Sequence, residues 1–171
     1  FIEKINGIFS LAIYDNEKKK LIIFRDRIGV KPLYFFKDSK RFVFASEIKS
    51  LINNNIKKKI NYSAIQNFLI HGLIDHDDNP FFKNIHQLKP GHFCTIDKNG
   101  IVIKKYWDVL KEVKSQKFVF KKKQDYVEKY NELFSDSIRL QSRSDVKIGT
   151  ALSSGIDSSL ISLYLKSKLP N

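Results

Sequence analysis

A single cysteine, Cys94, and no methionine occur in the 171 residues. One thiol excludes an internal disulfide, and with it the stapled scaffolds of small secreted proteins, so a reducing cytoplasmic compartment is the simplest expectation. With no start residue and no signal-peptide pattern in the opening Phe1-Ile-Glu-Lys4, the chain is expected to be a piece cut from a longer protein. No apolar run approaches the roughly 20 residues that a membrane span needs, so no membrane partner is expected of these residues. Acidic side chains are outnumbered too, 18 against 31 Lys and Arg, for a formal net charge of +13.

A positive field attracts phosphates without any sequence code, which raises the possibility of a basic nucleic-acid-binding module. The placement of the lysines weakens that reading. They cluster at Lys18–Lys20, Lys57–Lys59 and Lys121–Lys123, each triplet between apolar-periodic segments, where solvated turns and linkers fall. No single face collects them, and no nucleic-acid partner is expected. Apolar residues make up 42% of the chain and aromatics 13%, enough for a globular core.

The first fifty residues read as strands. Gly7–Tyr14 closes on Asp15-Asn16-Glu17 and is followed by Leu21–Phe24, the pattern of an antiparallel hairpin. Leu33–Phe36 and Phe42–Ala45 repeat it around Lys37-Asp38-Ser39-Lys40, and four strands this close predict part of one antiparallel sheet. Glu47–Leu51 reads as a single helical turn, with Glu47 a helix-start carboxylate. Asn61 is placed to cap a short helix with Ile65, Phe68 and Leu69 on one face and Gly72 at its end. A polar loop through Asp75, Asp77, Asp78 and Pro80 follows. Pro90-Gly91 then signals a turn, and "HFCTI" and "IVIKKYW" flank Asp97–Gly100 as a second hairpin.

From Val109 to Lys123 periodicity fades and lysines accumulate, as in a linker. The expected organisation is a domain over 1–108, a linker over 109–123 and a second domain starting at 124. Within the latter, Tyr126, Tyr130, Leu133, Phe134, Ser137 and Ile138 predict an amphipathic helix over Gln124–Leu140. Val146–Leu152 is strand-like. A last helix from about Ser158 carries Leu160, Ile161, Leu163, Tyr164 and Leu165 on more than one face. Helix, strand, loop and helix would open an α/β domain.

Between that strand and that helix stands Ser153-Ser-Gly-Ile-Asp-Ser-Ser159. A strand ending in small residues before a helix leaves the free amides of the first helical turn at the strand's carboxyl end, where anions bind. Gly155 permits a positive-φ turn, and Ser153, Ser154, Ser158 and Ser159 add hydroxyl donors around a phosphate. Asp157 would repel that phosphate unless a divalent cation such as Mg²⁺ lay between them. The plainer alternative makes Asp157 or Ser158 an N-cap and the serines mere loop. No G-x-x-x-x-G-K-[ST] occurs, so this is not a Walker A loop.

"LSSGIDSS", Leu152–Ser159, resembles the S-G-G-x-D-S pyrophosphate loop of ATP pyrophosphatase-type enzymes, with Ser154 in place of the first glycine. Three upstream stretches, "NGIFSLAIYD", "RDRIGVKPLYFF" and "FASEIKSLI", are similar to the later part of the class II glutamine amidotransferase domain of glutamine-hydrolysing asparagine synthetases. "NIHQLKPGHFCTI" and "KKYWD" resemble the joining segment that follows it. The likeness covers nearly the whole chain in the expected order.

It implies an α+β, Ntn-type antiparallel glutaminase domain followed by the start of an α/β, adenine nucleotide α hydrolase-like domain. Its implied substrates are glutamine, aspartate and ATP, with Mg²⁺ as cofactor, and a homodimer is compatible with it. Leu152 would offer backbone contacts to the nucleotide, Ser153–Gly155 with Ser158 and Ser159 would cradle the pyrophosphate, and Asp157 would hold the metal. Related enzymes with another acceptor, such as β-lactam synthetases, share the pattern.

The family's catalytic nucleophile is an N-terminal cysteine, which the likeness places outside these residues, so no complete glutaminase site is expected here. Cys94, inside a hairpin, reads as a packed apolar residue. Arg25, Asp26 and Arg27 read as a salt-bridged structural turn that, with Gly29 and Pro32, aims the next strand. His71, His76, His86 and His92 have no metal-ligand spacing. Tyr106 and Trp107 are expected to pack at the domain boundary.

Overall fold

The computed structural model describes residues 1–74, 80–115 and 122–168. The chain divides into two compact units, 1–115 and 116–171. The expected loop at Asp75, His76, Asp77 and Asp78, and the linker stretch 116–121 with Lys121, lie outside the described residues.

In the first unit, β1 (Ser10–Asp15) and β2 (Lys20–Arg25) form the expected antiparallel hairpin, in register from Ser10↔Arg25 to Asp15↔Lys20. Asp15 Oδ1 accepts from the amides of Glu17 and Lys18 at 3.1 and 3.0 Å and so shapes the turn. A second pair, β3 (Tyr34–Lys37) and β4 (Phe42–Ala45), also lies where alternation places it.

The two pairs belong to different sheets, however, and not to one. With β5 (Ile85–Gln87), β6 (His92–Asp97) and β7 (Gly100–Lys105), the orders are β1-β2-β6-β7 and β4-β3-β5. The sequence could not show this because β2 takes β6 as its neighbour, with Leu21↔Ile96 and Phe24↔Phe93, far along the chain. The second sheet is made between those two strands.

Ile23, Leu33, Phe35, Leu88 and Cys94 form the core between the sheets. The other face of the second sheet, through Tyr34, Phe36 and Ile85, packs on Leu51 of helix α1 (Ile48–Ile52) and on Ile56. Strand β3 is therefore buried on both faces, which is why "LYFF" reads as a continuous apolar run without alternation. Glu47 stands at the N-cap of α1.

Helix α2 (Tyr62–His71) ends at Gly72 in the left-handed region, φ 66°, as the glycine signalled. Asn61 holds the N-cap position without capping; its Nδ2 donates to the Pro80 carbonyl at 3.1 Å. The expected face shifts as well. Ala64 is buried and Phe68 meets Phe81 edge-on at 5.7 Å, whereas Leu69 is 74% exposed. Residues 109–115, expected as connecting chain, form helix α3 (Val109–Ser115), entered where Asp108 Oδ1 accepts from the Leu110 amide at 2.9 Å. An acidic cap sufficed to start a helix whose Val109, Leu110 and Val113 stay exposed.

In the second unit, α4 (Lys123–Gln141) matches its amphipathic pattern and buries Ile138. Its Phe134 stacks on Tyr130 at 5.5 Å and meets Tyr164 of α5 (Ile156–Lys168) edge-on at 5.1 Å. Val146–Leu152 is not a strand. A strand needs a backbone partner, and among the described residues none pairs with it; Val146 and Leu152 are 76% and 67% exposed. What the structure displays is thus a mixed α+β chain with antiparallel sheets, in which the expected helix-strand-loop-helix appears without its strand. Among the described residues no helix is long and apolar enough to cross a membrane.

Candidate functional site

Helix α5 begins at Ile156, two residues earlier than expected, with the Ser159 amide donating to the Gly155 carbonyl at 3.1 Å as its first helical bond. Gly155 therefore occupies the cap position, and Asp157 and Ser158 lie inside the first turn. Neither is the N-cap of the plainer reading. The amides of Ile156, Asp157 and Ser158 have no carbonyl one turn behind them, so their partial positive charge is directed out of the helix end.

The turn into that helix differs from expectation at one residue. Ser154, at φ 59°, takes the left-handed conformation, while Gly155 does not. A residue with a Cβ pays for that conformation in steric crowding, which is a physical reason for a glycine at position 154. The Ser154 hydroxyl donates to the Ser153 carbonyl at 2.6 Å and so ties the turn to itself.

The other hydroxyls are linked in sequence. Ser153 Oγ donates to Ser158 Oγ at 3.1 Å, and Ser158 and Ser159 both donate to the Gly155 carbonyl at 3.0 and 2.8 Å. Ser162 Oγ donates to the Ser158 carbonyl at 2.8 Å and lies 3.0 Å from Thr150 Oγ1, which lays residue 150 along the helix. Thr150 and Ser162 were not singled out from sequence; their only signal is a hydroxyl flanking each end of the serine cluster.

Leu152 to Ser159 are thus gathered at one helix end, with Leu152 to Asp157 exposed. Asp157 is on the first turn with no ion-pair partner among the described residues. No group of three or more His, Cys, Asp or Glu side chains able to hold a metal occurs among those residues. A lone exposed carboxylate beside free amides suits Mg²⁺ only when phosphate oxygens supply the remaining ligands.

The residues Arg25–Lys31 form a corner between the sheets. Arg25, 6% exposed, donates from Nε to the Lys31 carbonyl at 3.0 Å, from one terminal nitrogen to Leu88 at 2.7 Å and from the other to Gly29 at 2.8 Å. Asp26, fully buried, accepts from the amides of Val30 and Lys31 at 3.0 and 2.8 Å. The turn is structural, as expected, and in it the Arg25 and Asp26 side chains grip backbone groups. Tyr106 donates its hydroxyl to the Arg25 carbonyl at 2.8 Å. Burial, seconded by the Asp26 charge, raises its pKa. Cys94 is fully buried in the inter-sheet core, and burial pushes its thiol to about 11, the opposite of an activated nucleophile.

Residues 1–107 match the family model described as a glutamine amidotransferase domain, and residues 129–171 that described as asparagine synthase. The chain is similar to asparagine synthetase [glutamine-hydrolyzing] 3 of Bacillus subtilis, 34% identical over 161 residues, covering 94% of this chain and 25% of that protein. It is 32% identical over 165 residues to a putative asparagine synthetase [glutamine-hydrolyzing] 2 of Methanocaldococcus jannaschii, covering 94% of this chain and 31% of that protein. It is also similar to amidase chyE of Penicillium rubens, 27% identical over 164 residues, 94% of this chain and 23% of that protein. The chain thus spans about a quarter to a third of the length of these relatives.

Proposed function

This chain belongs to the glutamine amidotransferase domain family and runs on into an asparagine synthase segment, and from that premise we propose that it is part of an ATP-dependent, glutamine-hydrolysing carbon-nitrogen ligase. Its domains are the later part of a glutaminase over 1–108, a connection over 109–123 and the start of the synthetase from 124. The acceptor is aspartate. Its carboxylate oxygen attacks the α-phosphorus of ATP and pyrophosphate leaves; ammonia released from glutamine then attacks the acyl carbon of aspartyl-AMP, and AMP departs.

Leu152–Ser159 receives the leaving pyrophosphate. The observation that carries this role is the union of a positive-φ turn, free helical amides and four serine hydroxyls in eight consecutive residues. The amides and hydroxyls supply donors where negative charge accumulates, and Leu152 offers backbone to the nucleotide. Asp157 holds Mg²⁺, which would offset the charge of the departing phosphates. The Ser153–Ser158 and Ser154–Ser153 contacts hold these hydroxyls within the loop, and phosphate oxygens would take their place as acceptors.

In the full-length protein, Asp157→Ala is expected to abolish ATP–pyrophosphate exchange while leaving glutamine hydrolysis largely intact. Normal exchange in that variant would remove Asp157 from the site. The likeness to an amidase favours a second reading in which the same chemistry serves a different acceptor. Formation of AMP with aspartate as sole acceptor decides for the first reading, and its absence for the second.

A further inference from the structure

Two sheets packed face to face bury alternate residues, and strand register tells which side chains face inward at an open edge. Across β6 and β7, the fully buried Cys94 stands opposite Ile103. His92 stands opposite Lys105 two positions along, on the same face. On β5, His86 stands opposite the core residue Phe35, with ring centroids 5.3 Å apart. Both β5 and β7 are edge strands of their sheets.

At this edge the inward positions, which packing would fill with apolar groups, carry His86, His92 and Lys105. They surround a groove of about 350 Å³ with Phe35 and Ile103 in its lining and Lys89 beside them. No carboxylate is in that lining among the described residues. Asp108 approaches only from outside it, pairing with Lys105 Nζ at 2.7 Å. A carbonyl only accepts, so His92 Nδ1 carries the hydrogen it donates to Pro90 at 2.7 Å, and the ring is oriented by that bond.

We propose that this groove binds a small organic oxyanion, with an apolar body against Phe35 and Ile103 and its charged group between His86, His92 and Lys105. The size suits a single aromatic ring with one phosphate or carboxylate, and the mixture of apolar floor and few convergent polar groups is that of a ligand pocket. All of its lining residues belong to the first unit. The competing explanation is that inward-pointing charges merely protect the edge from pairing with another sheet.

The experiment is a titration of the ¹⁵N-labelled full chain with phenyl phosphate, read by amide shifts, with phenol and inorganic phosphate as separate controls. The expected result is saturable binding with a Kd of about 1 mM or tighter. Shifts should centre on residues 85–92 and 103–105, with phenol inactive and phosphate weaker. His86→Gln and Lys105→Gln, both at exposed positions, should each weaken it at least about fivefold, and Asp157→Ala should leave it unchanged. Absence of saturation, shifts centred elsewhere, or equal binding by those variants would overturn the proposal. So would a His92→Val/Lys105→Val variant that dimerises while the parent binds nothing, since that outcome assigns the charges to edge protection.

Discussion

At position 154 a side chain occupies a backbone conformation that favours glycine, φ 59°, and the hydroxyl that comes with it bonds to the preceding carbonyl. The sequence assigns the positive-φ turn to Gly155; the structure moves it one residue back, so Ser154 already holds the geometry that a glycine would provide. Ser154→Gly is therefore expected to change the affinity for Mg·ATP by less than about threefold. Ser154→Val, β-branched in the same left-handed turn, should cost about 1–2 kcal/mol and weaken binding about tenfold or more. Fluorescence anisotropy with a labelled ATP analogue measures both.

Cys94 makes a second prediction at this scale. Burial pushes its thiol up from the ordinary 9.0 to about 11 in the fold, so between those values the folded chain retains a proton that the unfolded chain has released. Stability from this group is complete below pH 9 and is lost as pH rises toward 11. Urea midpoints of the parent and Cys94→Ala should converge over that window, and alkylation of the native thiol at neutral pH should be far slower than in urea.

Among the elements, the Arg25–Lys31 corner holds the two sheets in place, since it joins the end of β2 to residues 88–91 at the entry to β6. The Gly91 amide donates to the Asp26 carbonyl at 2.9 Å and Leu88 to the Leu33 carbonyl at 2.8 Å. Arg25→Lys loses the planar fork that serves three carbonyls and should destabilise by about 2–4 kcal/mol. Gly29→Ala should cost at least about 2 kcal/mol. Gly29 has φ 71°, and a Cβ there would lie 2.6 Å from Pro90 Cγ. Chemical denaturation of each variant checks these values.

This corner also marks the limit of what the sequence discloses. Short-range features were legible: the hairpins at 10–25 and 92–105, Gly72 ending α2, and the amphipathic α4 each depend on neighbours within a turn or two of chain. Long-range partnership was not. Nothing near Arg25 names Leu88 as its acceptor, and nothing in "SLAIYD" or "YFFK" assigns them to separate sheets. Val146–Leu152 has strand composition, but composition does not supply a ladder. For the loop, the cluster of serines and Asp157 was visible because it is contiguous, whereas the placement of the strained residue required backbone geometry.

For the whole molecule, burial is unevenly shared. The core residues lie almost entirely in the first unit, and Ile138 is the one described residue of the second unit that is buried. Amides of β2 and β6 should therefore exchange with deuterium orders of magnitude more slowly than those of α4 and α5, as read by mass spectrometry. The second unit's helix end is exposed and self-bonded, with one carboxylate and no preassembled metal cluster among the described residues.

On the role proposed for Asp157, Mg²⁺ would bind only together with the nucleotide. The most direct measurement is a titration of the ¹⁵N-labelled protein with Mg²⁺ alone, with ATP alone and with both, followed at each amide. The predicted result is no response to Mg²⁺ alone, and with Mg·ATP large shifts confined to residues 152–159 that Asp157→Ala removes. Shifts that bypass this loop, or that persist unchanged in Asp157→Ala, would contradict the assignment of Leu152–Ser159 as the pyrophosphate site.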